Sequence, residues 1–148
     1  MKRGLEPISA MDVFSPRKRS AVMRMVKSRD TAPELSVRKL IRDLGFRYRL
    51  HRKDLPGCPD IVLSKLHAVI FVHGCFWHQH RCKAGAAPTS RRAYWDAKLQ
   101  GNVRRDRRNW KLLRNSGWKV LIIWECEIRE IERLTRKIRR FLAPLPSP

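Results

Sequence analysis

Apolar and polar positions along this chain fall into blocks whose period switches between that of a helix and that of a strand. Val37, Leu40, Ile41 and Leu44 recur at the i, i+3, i+4, i+7 spacing of a helix that buries one stripe against a sheet. Thr31 stands three residues before Glu34 in a capping-box arrangement, and Gly45 marks the stop. In FRYRL the period drops to two, with Phe46, Tyr48 and Leu50 alternating with arginines as a half-buried strand. After the polar loop HRKDLPGCP, the runs DIVLS and HAVIFVH predict two strands, and the tight connection at Ser64 to Leu66 makes them an antiparallel hairpin. A long helix from Arg91 to Ser116 follows, its apolar stripe marked by Trp95, Leu99, Val103, Trp110 and Leu113 and its close by Gly117. WKVLIIW is then a buried-type strand. Strand, crossover helix and strand in that order make it the parallel neighbour of HAVIFVH. A last helix carries Ile128, Ile131, Leu134 and Ile138, and upstream SPRKRSAVMRMVKS reads as a short basic helix with Ser15 as N-cap and Pro16 at its first position.

The 148 residues, 43% of them apolar, have room for one domain with a real core. The expected organisation is a flexible stretch over 1–14, a single domain over 15–143 and a frayed tail, APLPSP, with 144–148 outside the domain. Charge changes this picture most. Thirty-four Lys and Arg against 13 Asp and Glu give a formal net charge of +21, the footprint of a polyanion binder, and nucleic acid is the expected partner. A basic membrane-surface protein is the bland competitor, but no lipidation signal accompanies the charge. No apolar run approaches a membrane span, and MKRGLEPISAMD lacks the apolar core of a signal peptide, so a cytoplasmic location is expected. In a reducing compartment the four cysteines favour a metal over two disulfides.

Topology makes a spatial prediction. His73 ends one strand, Cys126 follows the end of its parallel neighbour, and Asp60 begins the strand antiparallel to the first, so three distant segments meet at one edge of the sheet. The stretch HGCFWHQHRC places three histidines and two cysteines there. Cys75, His80 and Cys82, joined by Cys126, form a Cys3His set for zinc; with no open coordination position, the role is structural. Free thiols packed as small hydrophobes are the alternative, and Cys58 could displace Cys126 as fourth ligand. His73 and His78 remain beside the carboxylate of Asp60. A hard cation such as Mg2+ binds through one or two carboxylates and keeps several waters. Phosphodiester cleavage needs such a metal, an in-line water and a base with a near-neutral pKa.

LPGCPDIV, VIFVHGCFWHQHRC, NVRRDRRN and GWKVLIIWEC, in this order, resemble the very-short-patch-repair DNA mismatch endonucleases, the Vsr family, over most of the chain from about Met23 to Arg129. The resemblance implies an α/β fold with a restriction-endonuclease-like three-layer core, a mixed central sheet flanked by helices, and a structural Zn2+ site. It also implies Mg2+-dependent incision beside the thymine of a T:G mismatch left by deamination of 5-methylcytosine. Carried onto this sequence, it makes Asp60 the magnesium carboxylate and the main-chain carbonyl of Val72 a second oxygen. His78 becomes the general base, Asp106 the residue that holds its tautomer, and His73 and Glu34 supporting members. Cys75, His80, Cys82 and Cys126 are the zinc ligands. Met23, Phe76 and Trp77 match intercalating residues, Lys98 and Asn102 match base or backbone contacts, and Arg104, Arg105 and Arg108 would neutralise phosphates.

Each role has a plainer alternative: a capping box for Glu34, a solvated helix face for Asp106 and Lys98, and packing against the zinc lobe for Phe76 and Trp77. Two departures are visible. Val72 stands where threonine is usual, which a carbonyl ligand survives, and Cys58 replaces a common arginine in the loop before Asp60, weakening a phosphate contact. The expected partner is double-stranded DNA with a T:G mismatch, together with possible repair proteins, for a monomeric enzyme of the bacterial nucleoid. Rival readings are a zinc-stabilised DNA-binding module without catalysis, an RNA-binding protein, and a related nuclease with a different target. The usual lysine of restriction-like cores is absent, since FVH stands where it would fall.

Overall fold

The computed structural model describes residues 29–144. The predicted basic helix from Ser15, with Met23, and the end of the APLPSP tail lie outside the described residues.

Helix α1 (Ala32–Asp43) begins where Thr31 Oγ1 accepts the Glu34 N–H at 3.3 Å, so the expected N-cap forms. Its buried face is split by chemistry: Glu34 and Arg38 occupy the N-terminal part and Val37 and Ile41 complete the apolar stripe. The strand expected over Phe46–Leu50 is shorter than its alternation suggests. Only Arg49–Leu50 form β1, with both side chains exposed. The reason is that Phe46 spends its N–H on the Ile41 carbonyl at 3.2 Å, ending the helix, while its ring and that of Tyr48 pack against the core from a loop.

Strands β2 (Ile61–Leu63) and β3 (Ala68–His73) form the predicted antiparallel hairpin, with Ile61 opposite Ile70 and Leu63 opposite Ala68. A single 3-10 turn, Ser64–Leu66, joins them and closes on His67 at φ +51°. β4 (Lys119–Trp124) lies parallel to β3 in the register His73 to Trp124, as the crossover rule requires. The sheet order is β1-β2-β3-β4.

Both faces of this mixed sheet are covered, which explains why every β3 residue is buried. Ile61, Leu63, Ile70, Val72 and Ile123 face α1 and the last helix, α3 (Ile131–Leu142). Val62, Val69 and Phe71 face the long helix α2 (Arg92–Asn115) through Leu113 and Trp110. Helices, sheet and helix thus make three layers. The final helix starts later than Ile128 because that residue sits in a 3-10 segment, Glu125–Arg129. There Glu127 Oε2 accepts the Trp124 N–H at 2.8 Å, and Lys137 bonds its other oxygen at 2.7 Å. No helix among the described residues is long and apolar enough to cross a membrane.

Candidate active site

The end of β3, the start of β2 and the middle of α2 surround a cleft of about 910 Å3. Glu34, Asp60, Val72, His73, His78 and Asp106 all line it, so residues that the sequence separates by as much as the distance from α1 to α2 share one wall. Asp60 stands just before β2, where its Oδ2 accepts the Val72 N–H at 2.7 Å and is thereby held against the end of β3. Burial pushes its carboxyl up to about 7, offset in part by that Val72 bond. A buried carboxylate with so little to stabilise its charge suits a divalent cation.

His78 lies in the turn after β3, and its Nδ1 is 2.6 Å from Asp106 Oδ2. Asp106 is 8% exposed and points inward from α2, so it is not a solvated helix residue. A carboxylate only accepts, hence Nδ1 carries a proton, and in the neutral ring the lone pair falls on Nε2. His73 stacks on the same ring, with centroids 3.6 Å apart and planes within 10°. Burial, with the neighbouring His78 next in size, holds the His73 pKa down to about 3, so the stacked partner stays neutral. Its Nδ1 is buried and finds no partner among the described residues, which fits a site completed by a metal-held water.

Glu34 has more company than a capping box needs. Its Oε2 accepts from the Asp30 N–H at 3.1 Å and from Arg38 at 3.0 Å, and the His51 ring lies 3.6 Å away. Asp30, Glu34 and His51 lie close enough to suggest a cation site. The Arg38 guanidinium already supplies positive charge there, 2.8 Å from Asp30 and 3.0 Å from Glu34. Arg38 and His51 were invisible to sequence reasoning, because a helix arginine and a loop histidine are normally solvated. His51 lines the cleft, as do Asn109 and Trp110.

At the same edge, one ligand atom each from Cys75, His80, Cys82 and Cys126 lies within 4.8 Å of all the others. Tetrahedral zinc with arms of about 2.3 Å sets its sulfurs about 3.8 Å apart, so the donor set fits a small closed ion site. Cys58 is elsewhere, lining the cleft. The knot is tight: a Cβ on Gly85 would sit 1.9 Å from the His80 carbonyl, so only glycine fits there. The Cys82 thiol is lowered to about 7, chiefly by its bond to His80, while burial raises that of Cys75 to about 12. A bound cation would displace the proton from both.

Phe76 and Trp77 are half-buried and lock edge to face at 5.0 Å, each also meeting the buried Trp95 of α2 at 5.5 and 6.1 Å. The Trp77 carbonyl accepts from Asn102 Nδ2 at 3.1 Å, so this side chain braces the aromatic pair. Lys98 Nζ lies 5.6 Å above the Trp77 ring. Trp95, read from the sequence only as part of a helix stripe, is the base of this cluster. Arg104, Arg105 and Arg108 are exposed on α2, and Arg105 reaches the cleft wall.

Comparison with known proteins points in one direction. The family model described as DNA mismatch endonuclease Vsr matches residues 11–84. The type II nicking enzyme V.XorIIP of Xanthomonas oryzae pv. oryzae is 46% identical over 133 residues, covering 90% of this chain and 98% of its own. DNA mismatch endonuclease Vsr of Escherichia coli K12 is 44% identical over 124 residues, 84% of this chain and 80% of its own. Among solved structures, the catalytic domain of the homing endonuclease I-Bth0305I superimposes with a TM-score of 0.55 at 23% identity, covering 76% of this chain and 94% of that domain. That likeness bears on the fold alone, which is the restriction-endonuclease-like core expected from the sequence.

Proposed function

The chain belongs to the DNA mismatch endonuclease Vsr family, and from that premise we propose that it nicks duplex DNA beside the thymine of a T:G mismatch, initiating very short patch repair. The carrying observation is the meeting of Asp60, His73 and the His78–Asp106 pair in one cleft. In this reading Asp60 and the Val72 carbonyl hold Mg2+. When bound, that ion supplies positive charge against the phosphodiester oxygens and lowers the pKa of a water.

The protein residues do the rest. Asp106 keeps His78 in the tautomer whose Nε2 accepts a proton from the attacking water, and it then stabilises the imidazolium. The neutral His73 ring supports His78 without adding a like charge. Zn2+ held by Cys75, His80, Cys82 and Cys126 is structural, fixing the turn that carries His78 and the aromatic pair.

Phe76 and Trp77 then act as a wedge. A wobble pair is already poorly stacked, so driving an apolar side chain beside it costs less than at a matched step. The Asn102 brace and the Trp95 base favour a stiff wedge over a collapsing one. Lys98, Arg104, Arg105 and Arg108 grip phosphates, which predicts a steep fall of affinity with salt. The setting is the bacterial nucleoid, with the enzyme acting as a monomer beside other repair proteins.

The test uses labelled duplexes carrying T:G, T:A or another mismatch, each with and without Mg2+. Nicking confined to T:G with metal is the expected outcome. Binding without nicking would favour an inert zinc-stabilised module, and equal nicking of T:A would refute the mismatch assignment.

A further inference from the structure

Asp60 has two carboxylate oxygens, and the fold treats them differently. Oδ2 accepts the Val72 N–H at 2.7 Å. Oδ1 faces His51, whose Nδ1 lies 3.9 Å away. That histidine sits just past β1, and its main-chain N–H meets the Asp60 carbonyl at 3.4 Å, which brings the two residues side by side. It does so at φ +46°, in the left-handed region where histidine, like asparagine and aspartate, is found more often than most residues.

The other ring nitrogen decides the tautomer. His51 Nε2 lies 3.0 Å from an Arg38 amino nitrogen and 3.6 Å from Glu34 Oε2. Guanidinium has donors and no acceptor, and it stays protonated. Two N–H groups cannot face each other at 3.0 Å, so Nε2 is the acceptor and the proton sits on Nδ1. Arg38 has little freedom to move, being 6% exposed and ion-paired to Asp30 at 2.8 Å and to Glu34 at 3.0 Å.

We infer that His51 is a positioning residue for Asp60, locked by Arg38 in the tautomer that turns Nδ1–H toward Oδ1, the oxygen that the Val72 amide leaves free. At 3.9 Å the contact is electrostatic rather than a hydrogen bond. It orients the carboxylate for a cation, the service that groups behind metal ligands commonly perform. Glu34 acts in the same chain by anchoring Arg38. The inference rests on the reading of Asp60 as the metal carboxylate.

The test compares His51→Asn with His51→Leu in the full chain. Asparagine tolerates the left-handed backbone and keeps an N–H near the position of Nδ1; leucine fills the space without a donor. Two quantities are read: the Mg2+ concentration for half-maximal nicking of the T:G duplex, and Mn2+ affinity of the protein–DNA complex by electron paramagnetic resonance. His51→Leu should weaken both by about tenfold or more, and His51→Asn by no more than about threefold. If the leucine variant fails to fold, His51→Gly, free of backbone strain, must show the same loss. Wild-type Mn2+ affinity in a folded leucine or glycine variant would overturn the inference, as would an asparagine variant as impaired as the leucine one. Asp60→Ala is measured alongside: unchanged Mn2+ affinity in that variant would sink the parent reading itself, separately from the role of His51.

Discussion

Replacing Asp60 with asparagine should destroy nicking and make the protein more stable. Burial raises the Asp60 carboxyl from its ordinary value of 3.8 to about 7. The folded state therefore holds its proton more tightly than the unfolded chain does. Stability is then undiminished below the unfolded value, falls as pH rises from about 4 toward 7, and levels off above 7. At about 1.4 kcal/mol per pH unit, the accumulated penalty has a ceiling on the order of 4 kcal/mol. Asparagine keeps an oxygen for the Val72 N–H and carries no charge, so about 2 to 4 kcal/mol should be recovered at pH 8. Urea unfolding of both proteins without added Mg2+, at several pH values from 5.5 to 8.5, measures the difference directly. The gain should shrink by about 2 kcal/mol between pH 7 and pH 5.5. An asparagine variant that is less stable at pH 8, or whose gain does not change with pH, would refute the argument that ionised Asp60 is held at a cost to the fold.

Two further outcomes follow from the same geometry. Asp106→Asn can offer its amide N–H to His78 Nδ1, leaving the proton on Nε2 where a lone pair is needed. Single-turnover nicking should fall by about a hundredfold or more with DNA affinity nearly intact, and an unchanged rate would remove His78 as the base. Cys126→Ser should lose its zinc, read as metal per chain by atomic absorption, and melt at a markedly lower temperature; a variant with full zinc content would eliminate Cys126 as a ligand.

Much of this architecture could be read from the sequence because its signals are periodic or local. The apolar runs DIVLS and HAVIFVH, with almost no chain between them, allow little other than a hairpin, and a helix before WKVLIIW leaves the parallel arrangement as the natural one. From those two facts alone, Asp60, His73 and Cys126 had to meet at one edge. The short β1 was not legible, since alternation in FRYRL describes side-chain burial while the Phe46 N–H had already gone to the helix end. Nor were Arg38 and His51. Their burial depends on each other and on Glu34, and no pairwise spacing along the chain encodes a three-body contact. Asn102 was matched to a DNA contact through the family resemblance, and its bond to the Trp77 carbonyl, made across 25 residues of chain, had no signal in the sequence. The support of the aromatic pair was not legible either, because Trp95 comes from a distant helix and reads there as one more member of an apolar stripe.

From Val72 to Cys82 the backbone carries in succession the amide that anchors an acid, two stacked imidazoles, an edge-to-face aromatic pair and three members of the Cys3His cluster. Such a stretch leaves few positions through which preferences could drift, the exposed Arg81 being one. Room for change lies outside it, on the flank of α2 that carries Arg104 and Arg108, whose side chains are exposed and stand off the cleft wall. The fold in this way separates the part that must stay from the part that is free to be rewritten.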